Sequence, residues 1–274
     1  MRITDDMPDA AVVGSASRFE CETSGSNSRF NQPTPTLGRY RLRFAETKKD
    51  REAAFRLRFM VFNLELNEGL ESAYKTGCDN DEFDEVCDHL VVEHDRTDQV
   101  VGTYRLQTGR TAGANFGYYS EREFDFTPYE PIRDSLVELG RAAIHRDHRS
   151  FEVLTLLWRG IATYAMTKQA RYLIGCSSLT SQCLQEGSDV YARLQDFLAD
   201  EPMRTVPQGH YSFPILPHNA SCLIRPPKLL RTYLSIGATI CGPPAIDREF
   251  KTIDFLTLLD LKSLPALVRS RFLP

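Results

Sequence analysis

The chain has 274 residues, 42% of them apolar, with a formal charge of −4; this is enough to bury a sizeable core and excludes fibrous, wholly disordered and strongly basic classes. So small a charge gives no general affinity for nucleic acid, although local basic clusters can serve a specific acidic partner. Seven scattered cysteines without a CxxC fit reduced thiols, no apolar run approaches the roughly 18 residues of a membrane span, and MRITDDMPDAAVV lacks the basic opening of a signal peptide, so the expected location is the cytoplasm.

Residues 1–38, rich in Ser, Asn, Thr, Asp and Pro, read as a disordered leader, and 39–274 as one domain. Tyr40, Leu42 and Phe44 alternate with Arg41 and Arg43 as in a half-buried strand, and Thr47 with Asp50 forms a capping-box signature. In the helix that follows, Ala54, Phe55, Arg58, Phe59, Phe62 and Leu66 recur at spacings of three and four. Arg58 therefore lies on or beside the apolar face, where an arginine either snorkels along the core or meets a partner. HLVVEH (89–94) and VVGTYRL (100–106) read as two strands of a hairpin joined by DRTDQ. Residues 108–134 are aromatic with weak periodicity and a PYEP turn, and LVELGRAAI (136–144) is a strand. Ser150 caps a long helix carrying Val153, Leu156, Leu157, Trp158, Ile161 and Tyr164, and RYLIGCSSL (171–179) returns as a strand. SDVYARLQDFL reads as a short helix, PPKLLRTYLSIGATICG as a helix from a proline to near Gly237 followed by strand, and TIDFLTLLDL (252–261) as a further strand. Together these predict a single α/β domain around a mixed, twisted sheet.

The stretch GCDNDEFDEVCDHLV gathers Asp79, Asp81 and Asp84. A calcium loop of the EF-hand type wants an oxygen ligand in its fifth place and glycine in its sixth, where Phe83 and Asp84 stand. Cys78, Cys87, His89 and His94 match no zinc spacing, so no metal is expected. What remains is a solvated acidic loop, or carboxylates gathered to meet cations. Further on, Glu138-x-x-Arg141 runs into HRDHRS, collecting Arg141, His145, Arg146, His148 and Arg149 ahead of a helix N-terminus at Ser150. Such a cluster is an anion site or a basic surface turn.

Arg58-Phe59-x-x-Phe62, the acids Asp79, Asp81 and Asp84, Arg105 of GTYRL, and Glu138-x-x-Arg141 occur in the order seen in acyl-homoserine-lactone synthases of the GNAT acyltransferase superfamily. Asp79 stands where those synthases carry glutamate. The chain resembles still more closely the N-acyltransferases of bacterial ornithine-lipid synthesis, through ELGRAAIHRDHRS, VLTLLWRGIATYA, LIGCSSL and PPKLLRTYLSIGATICGPPAIDREFKTIDFLTLLDL, a likeness covering about residues 40–262. It implies a GNAT-like fold, a mixed, mostly antiparallel twisted sheet flanked by helices. The implied activity moves a (3-hydroxy)fatty acyl group from an acyl carrier protein thioester to the α-amine of ornithine or a related amino acid, forming a lyso-ornithine-type lipid.

The resemblance implies a catalytic set of Glu138 as base, Arg141, and backbone N–H groups around Ala143 that polarise the thioester carbonyl. Arg58, Phe62, Asp79, Asp81, Asp84 and Arg105 would meet the amino acid, and Arg146, His148, Arg149 and Ser150 the phosphopantetheine of the carrier. Leu154, Leu157 and Trp158 would line its tunnel. No tightly bound cofactor is implied. The usual acetyl-CoA loop of the superfamily, Q/R-x-x-G-x-G/A, is replaced by RDHRSF, which favours a carrier-protein thioester over acetyl-CoA. A signal synthase and a non-catalytic carrier-binding module are the alternative readings. The tail LPALVRSRFLP has the mixture of an interfacial helix as well as that of one packed on the core, so peripheral contact with the inner membrane face is a second expectation.

Overall fold

Tyr40, Leu42 and Phe44 are buried while Arg41 and Arg43 stay partly accessible, the burial pattern of a strand with one covered face. In the computed structural model, which describes residues 35–218 and 224–272, this strand, β2 (Tyr40–Phe44), pairs with a two-residue strand, β1 (Thr36–Leu37). Thr36 and Leu37, which composition alone assigns to the leader, thus belong to the folded domain; residues 1–34 of the expected leader lie outside the described residues.

The Thr47–Asp50 capping box is complete: Asp50 N–H donates to Thr47 Oγ1 at 3.2 Å and Thr47 N–H to Asp50 Oδ2 at 2.9 Å. It starts α1 (Lys48–Phe59), which runs on as a π-helical segment, Met60–Glu65, and is followed by short α2 (Ala73–Thr76). The expected hairpin is β3 (Asp88–His94) with β4 (Val100–Thr108). The weakly periodic segment folds into α3 (Gly109–Ala114) and two 3-10 turns, Tyr119–Arg122 and Thr127–Ser135, before β5 (Leu136–Ile144). Ser150 Oγ accepts from Val153 N–H to cap α4 (Phe151–Thr167), which crosses to β6 (Tyr172–Leu179). The next helix, α5 (Leu184–Arg193), begins four residues before the expected SDVYARLQDFL and gives way to a 3-10 turn over its last residues; its first turn, LQEG, carries a single apolar residue, Leu184, too few to show a period. Then come α6 (Lys228–Ser235), closed by Gly237 at φ +100°, β7 (Thr239–Ile240), β8 (Ala245–Asp247), β9 (Thr252–Asp260) and α7 (Ala266–Phe272).

The sheet order is β1-β2-β3-β4-β5-β6-β9-β7, with β8 also on β9, and every pairing is antiparallel except β5 with β6. This is the mixed, mostly antiparallel sheet that the resemblance implies. Leu90 and Val92 pack with Leu156 and Leu157 of α4, whereas Val91 joins Ala54 and Leu57 of α1, so strand alternation puts the two helices on opposite faces. Leu264 and Val268 meet Trp158 and Ile161 of α4 around one small cavity, so this end of the tail packs on the core. No helix among the described residues is long and apolar enough to cross a membrane.

Candidate active site

The site lies where the one parallel pairing gives out. β5 and β6 keep register from Leu136–Tyr172 to Glu138–Ile174 and no further, although both strands continue. A cleft opens there, lined by Leu139 to Ala142, Leu173 to Cys176, Trp158 and Tyr233. At its root a Cβ on Gly175 would fall 2.2 Å from Leu139 O, so glycine is what lets the strands stay this close as their pairing ends. Trp158 lines the cleft as expected, whereas Leu157 is wholly buried in the core. Along β9, Thr257 and Leu259 line the cleft while Asp254 lies on the opposite sheet face. Cys176, which pairs with Leu256 on the other face from Thr257, lines the cleft too, so the gap is bordered from both sheet faces.

A bulge bends β5 at this point. Thr103 pairs with Ala143 and Arg105 with Gly140, leaving Arg141, at φ +50°, and Ala142 opposite Tyr104. Because His145 N–H bonds to Val101 O, ladder alternation engages Ala143 N–H with Thr103 and turns that of Ile144 away from β4. Ala143 itself is buried among residues packed on α1. Within the expected stretch of N–H groups around Ala143, the one turned away from β4 is that of Ile144, while Ala143 N–H is engaged in the ladder.

Sequence reasoning brings together a set of residues that the fold does assemble. Arg58 is buried and donates from Nε to Asp79 Oδ1 at 2.8 Å, and from Nη1 and Nη2 to Asp84 Oδ1 and Oδ2 at 2.8 and 2.7 Å. Arg105 Nη1 donates to Asp81 Oδ1 at 2.5 Å and to Asp84 Oδ1 at 3.3 Å; Arg141 Nη2 donates to Asp81 Oδ2 at 2.9 Å. Burial raises the proton affinity of Asp84, but Arg58 and Arg105 overcome it and hold the carboxyl far below its ordinary range. Asp81 is lowered likewise by Arg105 and Arg141 against its burial. Burial pushes His89 down to about 4, keeping it neutral at the edge of this network. Three arginines thus meet three carboxylates. Each of the acids holds an arginine, and Asp79 Oδ2 alone of their carboxylate oxygens is buried without a hydrogen bond. Phe62, from the π-helical segment, packs edge-on to Phe250 at 5.4 Å, and Arg141 lies over Phe250 and Tyr119 at 4.4 and 4.7 Å.

Glu138, the expected base, is buried with both oxygens occupied: Oε2 accepts from Tyr119 N–H at 2.9 Å, and Oε1 from Ser120 N–H at 2.8 Å and from the Ser120 hydroxyl. Burial raises its proton affinity, and these hydrogen bonds oppose the rise. It anchors the 119–120 turn. The basic turn is also less open than its sequence suggests. Arg149 forms a two-point ion pair with Glu65 at 2.7 and 2.8 Å, His148 Nδ1 lies 3.1 Å from the Tyr40 hydroxyl, and Ser150 is the helix cap. Arg146 is exposed.

A second acidic group was not legible in sequence. Oxygens of Glu123, Asp247 and Asp254 lie within 4.8 Å of one another, and all three residues are at most 3% exposed. Burial and then the Asp254 and Asp247 charges raise Glu123 well above its ordinary value. Burial and Asp247 carry Asp254 up to about 6, although Ser178 and Thr252 pull the other way. Nearby Glu68 rises to about 7 through burial and the Asp254 charge, against its hydrogen bond from Thr180. Cys176, which lines the cleft, has its Sγ 3.7 Å from Glu123 Oε2, so the group borders the gap. The one sequence signal is Asp254 itself, an acid between Ile253 and Phe255 in an otherwise apolar strand.

A mixed sheet that splays at its single parallel pair, with a bulged strand turning N–H groups toward the gap, defines a GNAT-type acyltransferase. The Acetyltransferase (GNAT) domain family matches residues 57–159. Over 247 residues the chain is 30% identical to the L-ornithine N(alpha)-acyltransferase of Agrobacterium fabrum, covering 83% of each chain. Over 242 residues it is 29% identical to that of Rhodobacter capsulatus, covering 82% of this chain and 91% of the relative. The chain belongs to the L-ornithine N(alpha)-acyltransferase family, and it is an enzyme. Among solved structures it resembles the AHL synthase LasI, with a TM-score of 0.50 at 12% identity over 85% of this chain and 94% of that one. FeeM, an N-acyl amino acid synthase from uncultured soil microbes, gives 0.50 at 15% identity over 86% and 96%. At these identities the likeness is one of fold.

Proposed function

We propose that the protein transfers a 3-hydroxyacyl group from an acyl carrier protein thioester to the α-amine of ornithine, in the cytoplasm. The names of its relatives support the acceptor. RDHRSF in place of the glycine-bearing CoA loop, the exposed Arg146 and the N-terminus of α4 support an acidic carrier as donor. One observation carries the geometry: the register that ends at Glu138–Ile174 leaves a gap bordered from both sheet faces. The thioester enters from the α4 side and the amine from the side of Arg141, Tyr119 and Phe250. The neutral amine nitrogen attacks the thioester carbon, a C–N bond forms, and negative charge collects on the oxygen near Ile144 N–H and the bulge. Collapse breaks the C–S bond, and the proton that nitrogen loses balances the one the departing thiolate takes up.

In this reading the Arg58–Asp79–Asp84–Arg105 network is the platform on which Arg141 is held. Arg141, whose Nε makes no hydrogen bond and lies 3.4 Å from Asp79 Oδ1, is the cation that meets the acceptor's carboxylate. Glu138 positions the turn that stacks Tyr119 on Arg141. The product is an amphiphile, so α7 also contacts the inner membrane face transiently; liposome flotation, compared with a chain ending at Leu261, tests that contact. The activity is tested by incubating the protein with 3-hydroxyacyl carrier protein and ornithine, other amino acids or S-adenosylmethionine, and weighing the products. An acyl-ornithine formed with stoichiometric thiol release is expected. A homoserine lactone product would make the enzyme a signal synthase, and carrier binding without thiol release would make it a binding module.

A further inference from the structure

The charge that selects the acceptor does not sit in the arginine–aspartate network, which neutralises itself. It sits on Glu123, Asp247 and Asp254. We propose that these three carboxylates bind the side-chain ammonium of a diamino-acid acceptor, which makes this group the specificity site of the enzyme. The inference rests on the acyl-transfer reading above.

Three carboxylates whose oxygens lie within 4.8 Å cannot all ionise without a cation, and the nearby Arg141 is already held by Asp81. The oxygens are not equivalent. Asp247 Oδ1 accepts from Glu249 N–H and Phe250 N–H, both at 2.8 Å, and its Oδ2 faces the Tyr119 hydroxyl at 3.3 Å. Asp254 Oδ2 accepts from the Thr252 hydroxyl at 2.9 Å. Glu123 Oε1 and Asp254 Oδ1, in contrast, are buried and accept no hydrogen bond. An unsatisfied buried carboxylate oxygen is costly and calls for a donor. A primary ammonium brings three N–H donors, which match Glu123 Oε1, Asp254 Oδ1 and the lightly engaged Asp247 Oδ2. A hard divalent cation wants about six oxygens, and two open ones suit it poorly. Placement agrees: Cys176 borders both Glu123 and the cleft, and Arg141 with Tyr119 and Phe250 lies between the carboxylates and the network. An acceptor with its carboxylate on Arg141 and its far ammonium among the acids presents its α-amine to the gap.

The test compares ornithine with norvaline, the same amino acid without the terminal amine, using the full chain and 3-hydroxyacyl carrier protein. The wild type is expected to prefer ornithine by at least about 100-fold in kcat/KM, as sites built around a substrate N–H do. In Asp254→Asn and Glu123→Gln that preference falls at least about tenfold, mainly through a higher KM for ornithine. Should either variant fail to fold, the wild type decides: ornithine raises its unfolding temperature and norvaline at equal concentration does not. A wild type that acylates both acceptors alike, variants that keep the full preference, or a stoichiometric divalent cation whose removal abolishes activity would each overturn the ammonium site. If the wild type acylates neither acceptor while another product forms, the acyl-transfer reading itself fails instead.

Discussion

Asp84→Asn isolates the energetic role of the arginine–aspartate network. Asp84 accepts four hydrogen bonds, from both terminal nitrogens of Arg58, from Arg105 Nη1, and from Asp81 N–H at 2.8 Å. Asparagine keeps the shape but turns an N–H₂ toward a guanidinium and leaves three buried arginines against two carboxylates. The side chains of Arg58 and Asp84 are each 1% exposed, so water cannot compensate, and removing one partner of such a pair costs about 3–5 kcal/mol. For a chain of this size that lowers the unfolding midpoint by roughly 6–20 °C. The assay is thermal unfolding followed by far-ultraviolet dichroism beside Glu82→Gln, which breaks an exposed pair with Arg122 of 2.5 Å and shifts stability by less than about 0.5 kcal/mol. The sign with pH follows from the direction of the shift. A carboxyl held low in the folded state contributes fully above its unfolded value, near 3.9, and loses that contribution as pH falls below it; the difference between variant and wild type therefore persists at pH 5 and shrinks toward pH 2. A midpoint for Asp84→Asn within about 2 °C of wild type at pH 7 would refute the reasoning.

Glu138→Gln is expected to lower kcat less than about tenfold, because the residue anchors a turn; loss of a general base costs about 10²- to 10⁴-fold, and a fall of that size would restore Glu138 as the base. Gly175→Ala drives a Cβ to 2.2 Å from Leu139 O and should cost about 1–3 kcal/mol in urea unfolding, with no change if β5 and β6 are free to part. Stability should also fall as pH rises from about 4 to 7, since Asp254 at about 6 and Glu68 at about 7 bind protons in the folded state that the unfolded chain has released. The facing groups are Glu123, Asp247, Cys176, Tyr119 and Arg141, and of these Arg141 is the cation. The Asp254 share is about 3 kcal/mol at most, read as a pH slope of the unfolding midpoint that flattens in Asp254→Asn.

Much of the fold could be read because each strand and helix carries its own periodicity. Tyr40, Leu42 and Phe44, the Thr47–Asp50 box, and Ser150 ahead of α4 act locally, and local signals survive in a linear sequence. The arginines and aspartates could be gathered by motif order, but not paired. Whether Asp84 faces solvent, a substrate or Arg58 depends on a fold that brings residues 26 positions apart to 2.7 Å. The surroundings of Glu138 were hidden for the same reason: its partners Tyr119 and Ser120 lie in the aperiodic segment, which offers no hint of where it turns. The acidic group is the extreme case, since Glu123 comes from the aperiodic segment and Asp247 and Asp254 from β8 and β9, with no motif linking them.

That failure bears on how the enzyme selects its substrate. The conspicuous acids Asp79, Asp81 and Asp84 invite a reading as the receptor for a cationic amine, yet a network balanced by Arg58, Arg105 and Arg141 has little field left to attract one. A carboxylate already bound to arginine would also have to break that pair to meet an ammonium, so the exchange gains little. Glu123 Oε1 and Asp254 Oδ1 have no such prior commitment. In the binding mode proposed above the two acidic groups divide the work: one fixes Arg141, which would hold the amino acid's carboxylate, and the other would discriminate by charge.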